Sequence, residues 1–405
     1  MSKEETKEVF IMESYDFLLS LAVILLVTKA MGVLSERVHM PQVVGALVAG
    51  VLLGPSVFGF VSETDFLVKT SEIGVIMLMF LAGLDTDLVE LKKTGFASFI
   101  IAVIGAALPL IGGTICYEIF FRDVVDPMDF LKALFIGVVL TATSVSITVE
   151  TLREMGKLKG KVGTAVLGAA VIDDILGIIV LTVITGFADP SVKPIRVMGN
   201  IVLFFVFIAI IGIIFYKAFQ KMDIIWANHR RLAIVSLAFC FVMSYVAEVF
   251  FGIADITGAY FAGIILCNIL DLREYVAKKI NIMNYMFFAP VFFSSIGIKT
   301  NLEGFNSEIA VFSAVLLIIA ILTKVVGCGL GAKMFKFTNH EALAVGVGMI
   351  SRGEVALIVA QKGAAAGLIN TNLFPAIVLV VVVTTLVTPI LLKLVMSREP
   401  KATEA

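Results

Sequence analysis

Two adjacent carboxylates, Asp173 and Asp174, lie in Gly168-Ala-Ala-Val-Ile-Asp-Asp-Ile-Leu-Gly177, near the middle of an apolar run from about Lys161 to Phe187. A run of that length crosses a bilayer as a helix. One charge at that depth costs about 3 kcal/mol on insertion scales, and two side by side repel each other, so the pair resists carrying both charges at once. A lone polar side chain in lipid is ordinarily a structural group hydrogen-bonded to a neighbouring helix. A carboxylate doublet is not needed for packing. Its chemistry is that of a seat for a proton or a small hard cation.

Few other ionisable residues lie deep in an apolar span. They are Lys324 in Ile318-Ile-Ala-Ile-Leu-Thr-Lys-Val-Val-Gly327, and Arg352 and Glu354 in Gly348-Met-Ile-Ser-Arg-Gly-Glu-Val355. Lys29 and Glu248 sit near span ends, where they can snorkel. Five isolated central charges would cost on the order of 15 kcal/mol, so they are expected to pair. Three acids face two bases, which leaves one carboxylate able to take a proton or a cation. Carboxylate and hydroxyl oxygens suit a small alkali ion, and no soft ligand accompanies them. His39, His229 and His340 fall in loops or at helix ends.

The elements that position these groups follow from composition. Of 405 residues, 60% are hydrophobic and 16% charged, with a mean hydropathy of +1.05. A water-soluble fold of this size cannot hide that much apolar surface. The chain is an all-α polytopic membrane protein whose main partner is the lipid bilayer. A net charge of -1, with no basic or basic-aromatic patch, gives no sign of a nucleic-acid partner. Cys116, Cys240, Cys267 and Cys328 read as small packing residues. The acidic N-terminus is not a secretory signal. About ten residues follow the last helix, so no attached soluble regulatory domain is expected.

Hydropathy gives thirteen transmembrane helices, at roughly 15–34, 41–60, 67–84, 95–121, 130–152, 161–187, 194–218, 231–250, 253–270, 279–298, 307–335, 340–362 and 372–396. Helix breakers fall in mid-span at Gly112-Gly113 after Pro109, at Pro290, and across Gly346 to Gly353. Such breaks survive in lipid where protein or a wet cavity satisfies the freed backbone. Span five adds the hydroxyl-rich Thr141-Ala-Thr-Ser-Val-Ser-Ile-Thr148. Spans five and twelve are therefore expected to unwind at mid-membrane, leaving half-helix ends near the carboxylates. Lys and Arg favour one set of connections by about two to one, which puts the N-terminus outside and the C-terminus in the cytoplasm.

A repeat is also legible. Gly45-Ala-Leu-Val-Ala-Gly-Val-Leu-Leu53 resembles Gly258-Ala-Tyr-Phe-Ala-Gly-Ile-Ile-Leu266, and Gly83-Leu-Asp-Thr-Asp-Leu88 resembles Gly297-Ile-Lys-Thr-Asn-Leu302. Both offsets equal seven spans, an odd number, so the copies run opposite ways through the membrane. The plan is two inverted-topology six-helix repeats joined by a linker helix, common among secondary transporters.

Together, the Thr143-Ser144 motif of span five, Ile172-Asp173-Asp174, Thr323-Lys324-Val325-Val326-Gly327 and Ser351-Arg352-Gly353-Glu354 resemble the sodium/proton antiporters of the monovalent cation:proton antiporter superfamily, more narrowly the NapA-type branch with an Asp-Asp motif. The likeness covers nearly the whole chain, in the family's order. It implies crossed discontinuous helices in a core domain, elevator-type alternating access, a homodimer in a prokaryotic plasma membrane, and no cofactor beyond the transported Na+ and H+. The implied division is an extracellular tail (1–14), dimerisation-domain helices 1–3 (15–90), core helices 4–6 (91–190), a linker helix 7 (191–222), dimerisation-domain helices 8–10 (223–303), core helices 11–13 (304–397) and a cytoplasmic tail (398–405). By the same resemblance Asp174 is the principal ion and proton carrier, with Asp173 beside it at the Na+ site. Asp173 pairs with Lys324, Thr143 and Ser144 flank the break, and Ser351, Arg352 and Glu354 support the crossing. An Asp in the first position implies electrogenic exchange.

Three other readings fit parts of the sequence. A K+/H+ antiporter or K+ efflux system shares the same residues. An Na+-coupled organic anion symporter shares the architecture but needs a larger polar set. An intramembrane aspartyl protease, the enzyme alternative, would carry its Asp residues on two helices.

Overall fold

Hydrocarbon offers the backbone no hydrogen-bond partner except itself, so each apolar run must close its own helical bonds. The computed structural model describes residues 3–38, 40–122, 126, 128–188, 194–225, 229–299, 307–365, 367–369 and 371–397; the side chains of 3–14, 185–188, 194, 224, 229, 270, 354, 361, 362, 365 and 371 are outside the description. His39, the Thr300 to Leu302 end of the second repeat copy, the boundaries at 190/191 and 303/304, and the 398–405 tail therefore lie outside the described residues.

The first half contains α1 (Lys3–Arg37), α2 (Gln42–Leu53), α3 (Asp65–Asp85), α4 (Leu88–Phe121), α5 (Asp129–Thr141), α6 (Val145–Glu154) and α7 (Lys161–Ala188). Then come α8 (Pro194–Ile225), α9 (His229–Val246), α10 (Asp255–Leu266), α11 (Leu270–Met283) and α12 (Ala289–Ile298). The chain ends with α13 (Ser307–Met334), α14 (Asn339–Gly348), α15 (Glu354–Ala365) and α16 (Phe374–Ser397). π-helical turns extend α9 to Phe251 and join α11 to α12. Each apolar stretch expected from hydropathy contains at least one helix, and several of the expected spans are helical only in part. Among the described residues, ten helical spans are long and apolar enough to cross a bilayer.

Local signals set several boundaries. Asp87 caps α4 by accepting from Val89 N and Glu90 N, and Thr338 with Glu341 forms a capping box on α14. The expected break at Gly112-Gly113 is not there: α4 runs unbroken through Pro109 and both glycines. These glycines serve packing instead. A Cβ at Gly113 would stand 2.7 Å from Gly137 Cα of α5, and one at Gly112 would stand 2.8 Å from Ile319 of α13. Pro290 sits in the first turn of α12, directly after the π-helical turn, where its missing N–H is tolerated.

The helices pack as two groups. In one, α4 lies against α5, α7 and α13, and α13 packs on α14 and α16. In the other, α2 packs on α1 and α12, and α10 packs on α3 and α9. Between them, α8 touches α7 and α10. Small residues let backbones touch in the second group, as expected where lipid supplies no hydrophobic drive between helices. A Cβ at Gly50 would stand 2.0 Å from Ser294 O, and one at Gly83 would stand 2.2 Å from Tyr260 O.

Charges join the groups at one end. Asp85 of α3 meets Lys159 at 3.2 Å, Arg273 of α11 at 3.8 Å and Arg153 of α6 at 3.9 Å. Glu154, the last residue of α6, accepts from the first backbone N–H groups of α2, Gln42 at 2.8 Å and Val43 at 3.3 Å. That is a favourable place for an anion, at the positive end of a helix dipole.

Candidate functional site

The first anchor is α7, held close to α4 by small residues. Ser98 Oγ of α4 donates to Ala165 O, and a Cβ at Gly168 would stand 2.8 Å from that hydroxyl oxygen. This contact sets the height and rotation of Asp173 and Asp174 one to two turns further on. Asp173 is 2% exposed, while Asp174 is half-buried.

The second anchor is α13. Lys324 is 0% exposed, and its ammonium donates to both Asp173 carboxylate oxygens at 3.1 Å. Each charge satisfies the other where water is excluded, a geometry needed for an ion pair to survive burial. Gly105 of α4 makes the room, since a Cβ there would stand 2.4 Å from Cys328 Sγ and 4.0 Å from Lys324 Nζ. Nothing in the hydropathy pattern marks Gly105 as different from its neighbours.

The third part is a crossing of two interrupted helices. The backbone leaves helical form over 142–144, between α5 and α6, and over 349–353, between α14 and α15. Freed backbone groups there find one another. Ser144 N donates to Ser351 O at 2.8 Å, and Ser351 Oγ returns a bond to Ser144 O at 2.6 Å. Thr148 Oγ1 donates to Gly348 O at 2.6 Å. Gly353 permits this closeness, because a Cβ would fall 2.6 Å from both Ser144 Cβ and Oγ. Thr143 is buried at the break, with its hydroxyl 3.4 Å from Thr141 O.

Arg352 departs from the expectation that central charges pair with one another. Among the described residues it makes no ion pair. Its fully buried guanidinium instead donates to Met349 O at 3.3 Å, Ile350 O at 2.9 Å and Ala320 O at 3.5 Å. Those carbonyls include the unsatisfied, negative end of α14, so a cation there offsets the helix dipole. The Glu354 side chain lies outside the described residues.

Two further residues, missed in the sequence reading, complete the crossing from α16. Arg352 N donates to Thr384 Oγ1 at 3.2 Å, and Thr385 Oγ1 donates to Arg352 O. Their signal was a polar pair inside Val380-Val-Val-Val-Thr-Thr-Leu386. His340 stays at the edge of the site region, with its ring Nε2 2.6 Å from Val395 O. No cluster of three or more His, Cys, Asp and Glu side chains able to hold a resident metal occurs among the described residues.

Broken helices that meet around a buried acid–base pair, in a chain of membrane-crossing length, define an ion-translocating secondary transporter. Comparison with known proteins gives the same class. The sequence pattern described as "Sodium/hydrogen exchanger, transmembrane" matches residues 21–398, and the chain belongs to that family of monovalent cation:proton antiporters. The Na(+)/H(+)-K(+) antiporter GerN of Bacillus cereus is 41% identical over 396 residues, covering 96% of this chain and 99% of GerN. A Na(+)/H(+) antiporter of Enterococcus hirae is 37% identical over 383 residues, covering 93% and 97%. The sodium proton antiporter MjNhaP1 from Methanocaldococcus jannaschii shares the fold, with a TM-score of 0.73 at 16% identity over 96% of this chain and 99% of that one. These relatives are transporters rather than enzymes.

Proposed function

We propose that the protein exchanges Na+ (or Li+) for H+ by competition at the Asp pair, electrogenically, through elevator-type movement within a homodimer. The observation that carries this is the buried Lys324–Asp173 pair, with a second acid, Asp174, adjacent on the same helix. Lys324 neutralises Asp173, so the charge of Asp174 is the variable one. With a proton on Asp174 the site is compensated. A cation held by Asp174 and Asp173, helped by oxygens of span five, displaces the Asp174 proton and loosens Lys324, whose ammonium gives up a second proton, so two protons leave for each cation and net charge moves. Either loaded state crosses, while the site holding neither proton nor cation crosses poorly, because added charge at bilayer depth is costly. Exchange follows without any bond being made or broken beyond the proton's.

The two packing groups support a division into dimerisation helices (15–90 and 223–303) and core helices (91–190 and 304–397), with 191–222 as linker. Pairing of glycines supports the inverted repeat and the thirteen-span count. Gly50 and Gly297 approach across the α2–α12 contact, and Gly263 and Gly83 approach across the corresponding α10–α3 contact. The basic connections support an outside N-terminus, a cytoplasmic C-terminus and a plasma-membrane location.

Radioactive sodium uptake into proteoliposomes with an imposed pH gradient and membrane potential tests the reading. Wild type should accumulate sodium in response to both gradients. An Asp174→Asn protein that still exchanged at full rate would end the proposal. A K+/H+ reading is kept because GerN is a Na(+)/H(+)-K(+) antiporter by name. Competition among Na+, Li+ and K+ in the same vesicles separates the two.

A further inference from the structure

The unwound stretch at 349–353 leaves peptide groups that no helix satisfies, and lipid gives them no partner. Around Arg352 these groups are answered from α16. Its N–H reaches Thr384 Oγ1 at 3.2 Å, and its carbonyl receives the Thr385 hydroxyl. Thr384 spends its own proton on Val380 O at 2.7 Å, with Val381 O at 3.1 Å. Its lone pairs are therefore available to Arg352, and the hydroxyl cannot rotate without losing a bond. Both threonines are buried, at 0% and 1% exposure. With the guanidinium tied to Met349 O and Ile350 O, Arg352 is fixed at its side chain and on both sides of its main chain.

The hold passes on to the first break. Ser351, the neighbour of Arg352, makes both backbone-to-break contacts with Ser144, and Thr143 is next to Ser144. Sequence position adds an independent observation. Under the repeat proposed above, spans six and thirteen correspond, and Thr384-Thr385 falls 211 residues after Asp173-Asp174, close to the offsets of the repeat. Under that repeat, the span that carries two acids in one copy carries two neutral hydroxyls in the other.

We infer that Thr384 and Thr385 are positioning residues for cation exchange, a hydroxyl clamp on the Arg352 peptide that fixes the second break and, through Ser351, the oxygens of the first. They touch no cation. They set how well the break's oxygens fit one, and so act on apparent affinity and on discrimination between Na+, Li+ and K+. The proposal rests on the exchange reading above.

Its test compares Thr385→Val, Thr384→Val and the matching serine variants with wild type, in proteoliposomes at equal reconstituted protein. Readouts are the half-saturating Na+ concentration, the maximal rate, the Na+/Li+/K+ order and the thermal midpoint. Valine keeps the volume and removes the hydroxyl; serine keeps the hydroxyl. The valine variants should raise half-saturation for Na+ about fivefold, the factor one net hydrogen bond represents, with a smaller effect on maximal rate and a narrower spread among the three cations. Serine should bring half-saturation back to within about twofold of wild type. Should Thr385→Val fail to assemble, Thr384→Val, which removes the acceptor of the Arg352 N–H together with the bond to Val380 O, carries the same expectation. Lowered thermal midpoints with unchanged half-saturation in every assembled valine variant would make the pair structural and overturn the proposal. A wild type that exchanges no cation would overturn the functional reading and the clamp with it. A wild type that exchanges, with unmoved valine variants, would overturn the clamp alone.

Discussion

Replacing Lys324 by methionine removes the ammonium that stands 3.1 Å from both oxygens of Asp173 and leaves the side-chain volume nearly unchanged. At an effective dielectric of about 20, unit charges at that separation attract by about 5 kcal/mol. Losing one partner of a buried pair costs about 3–5 kcal/mol, because the survivor remains desolvated without compensation. Asp173→Asn should cost a similar amount by stranding Lys324. The double variant removes the desolvation together with the attraction, so it should recover most of the loss. The four proteins form a cycle that isolates the interaction. Thermal midpoints of fluorescent-protein fusions in detergent provide the readout. At roughly 1–2 °C per kcal/mol for a chain longer than 250 residues, each single variant should melt about 5 °C below wild type and the double within about 2 °C of it. A double variant that falls by the sum of the two singles would refute mutual compensation, and with it the idea that Asp173 is neutralised so that Asp174 can titrate.

Two other outcomes follow from local geometry. Gly353→Ala puts a Cβ 2.6 Å from Ser144 Cβ and Oγ; the crossing must spread, and sodium uptake should fall at least about tenfold, on the scale of a displaced binding group, while the protein still inserts and elutes as wild type. In the loop before α5, the hydrogen bond from Lys132, joined by one from Met128 N, holds the Asp126 carboxyl below its ordinary 3.8. A lowered folded value means that this tie adds stability above the ordinary value and loses it as pH falls through the lowered one. Thermal midpoints of wild type and Asp126→Asn should therefore differ at about pH 7, and the difference should shrink as pH falls below 3.8.

Lipid made much of this fold legible in advance. Charges and breakers are costly in hydrocarbon, so Asp173, Asp174, Lys324 and the hydroxyls of 141–148 stood out from their surroundings, and the apolar runs between polar connections mark the helices. Glycine was ambiguous. In lipid it permits either a break or a close approach, and one sequence cannot choose between them. Gly346 to Gly353 contains a break, whereas Gly112-Gly113 serves contact with α5 and α13. Arg352 was legible in part. Its charge demanded partners, and those among the described residues are backbone carbonyls brought together by tertiary folding, which leave no mark in a sequence. Thr384 and Thr385 were visible as polar residues in an aliphatic run. That they face the Arg352 peptide depends on how α16 packs, which hydropathy does not encode.

Charged contacts at one end, Asp85 with Arg153 and Lys159, and Glu154 on the start of α2, link the proposed dimerisation and core segments. Under the proposed movement such contacts would act as a brake that dissolved salt weakens. The screening length shrinks from about 10 Å at 0.1 M to about 3 Å at 1 M, so partly exposed pairs of this kind loosen as ionic strength rises. A rise in ionic strength at that end would thereby ease the proposed movement.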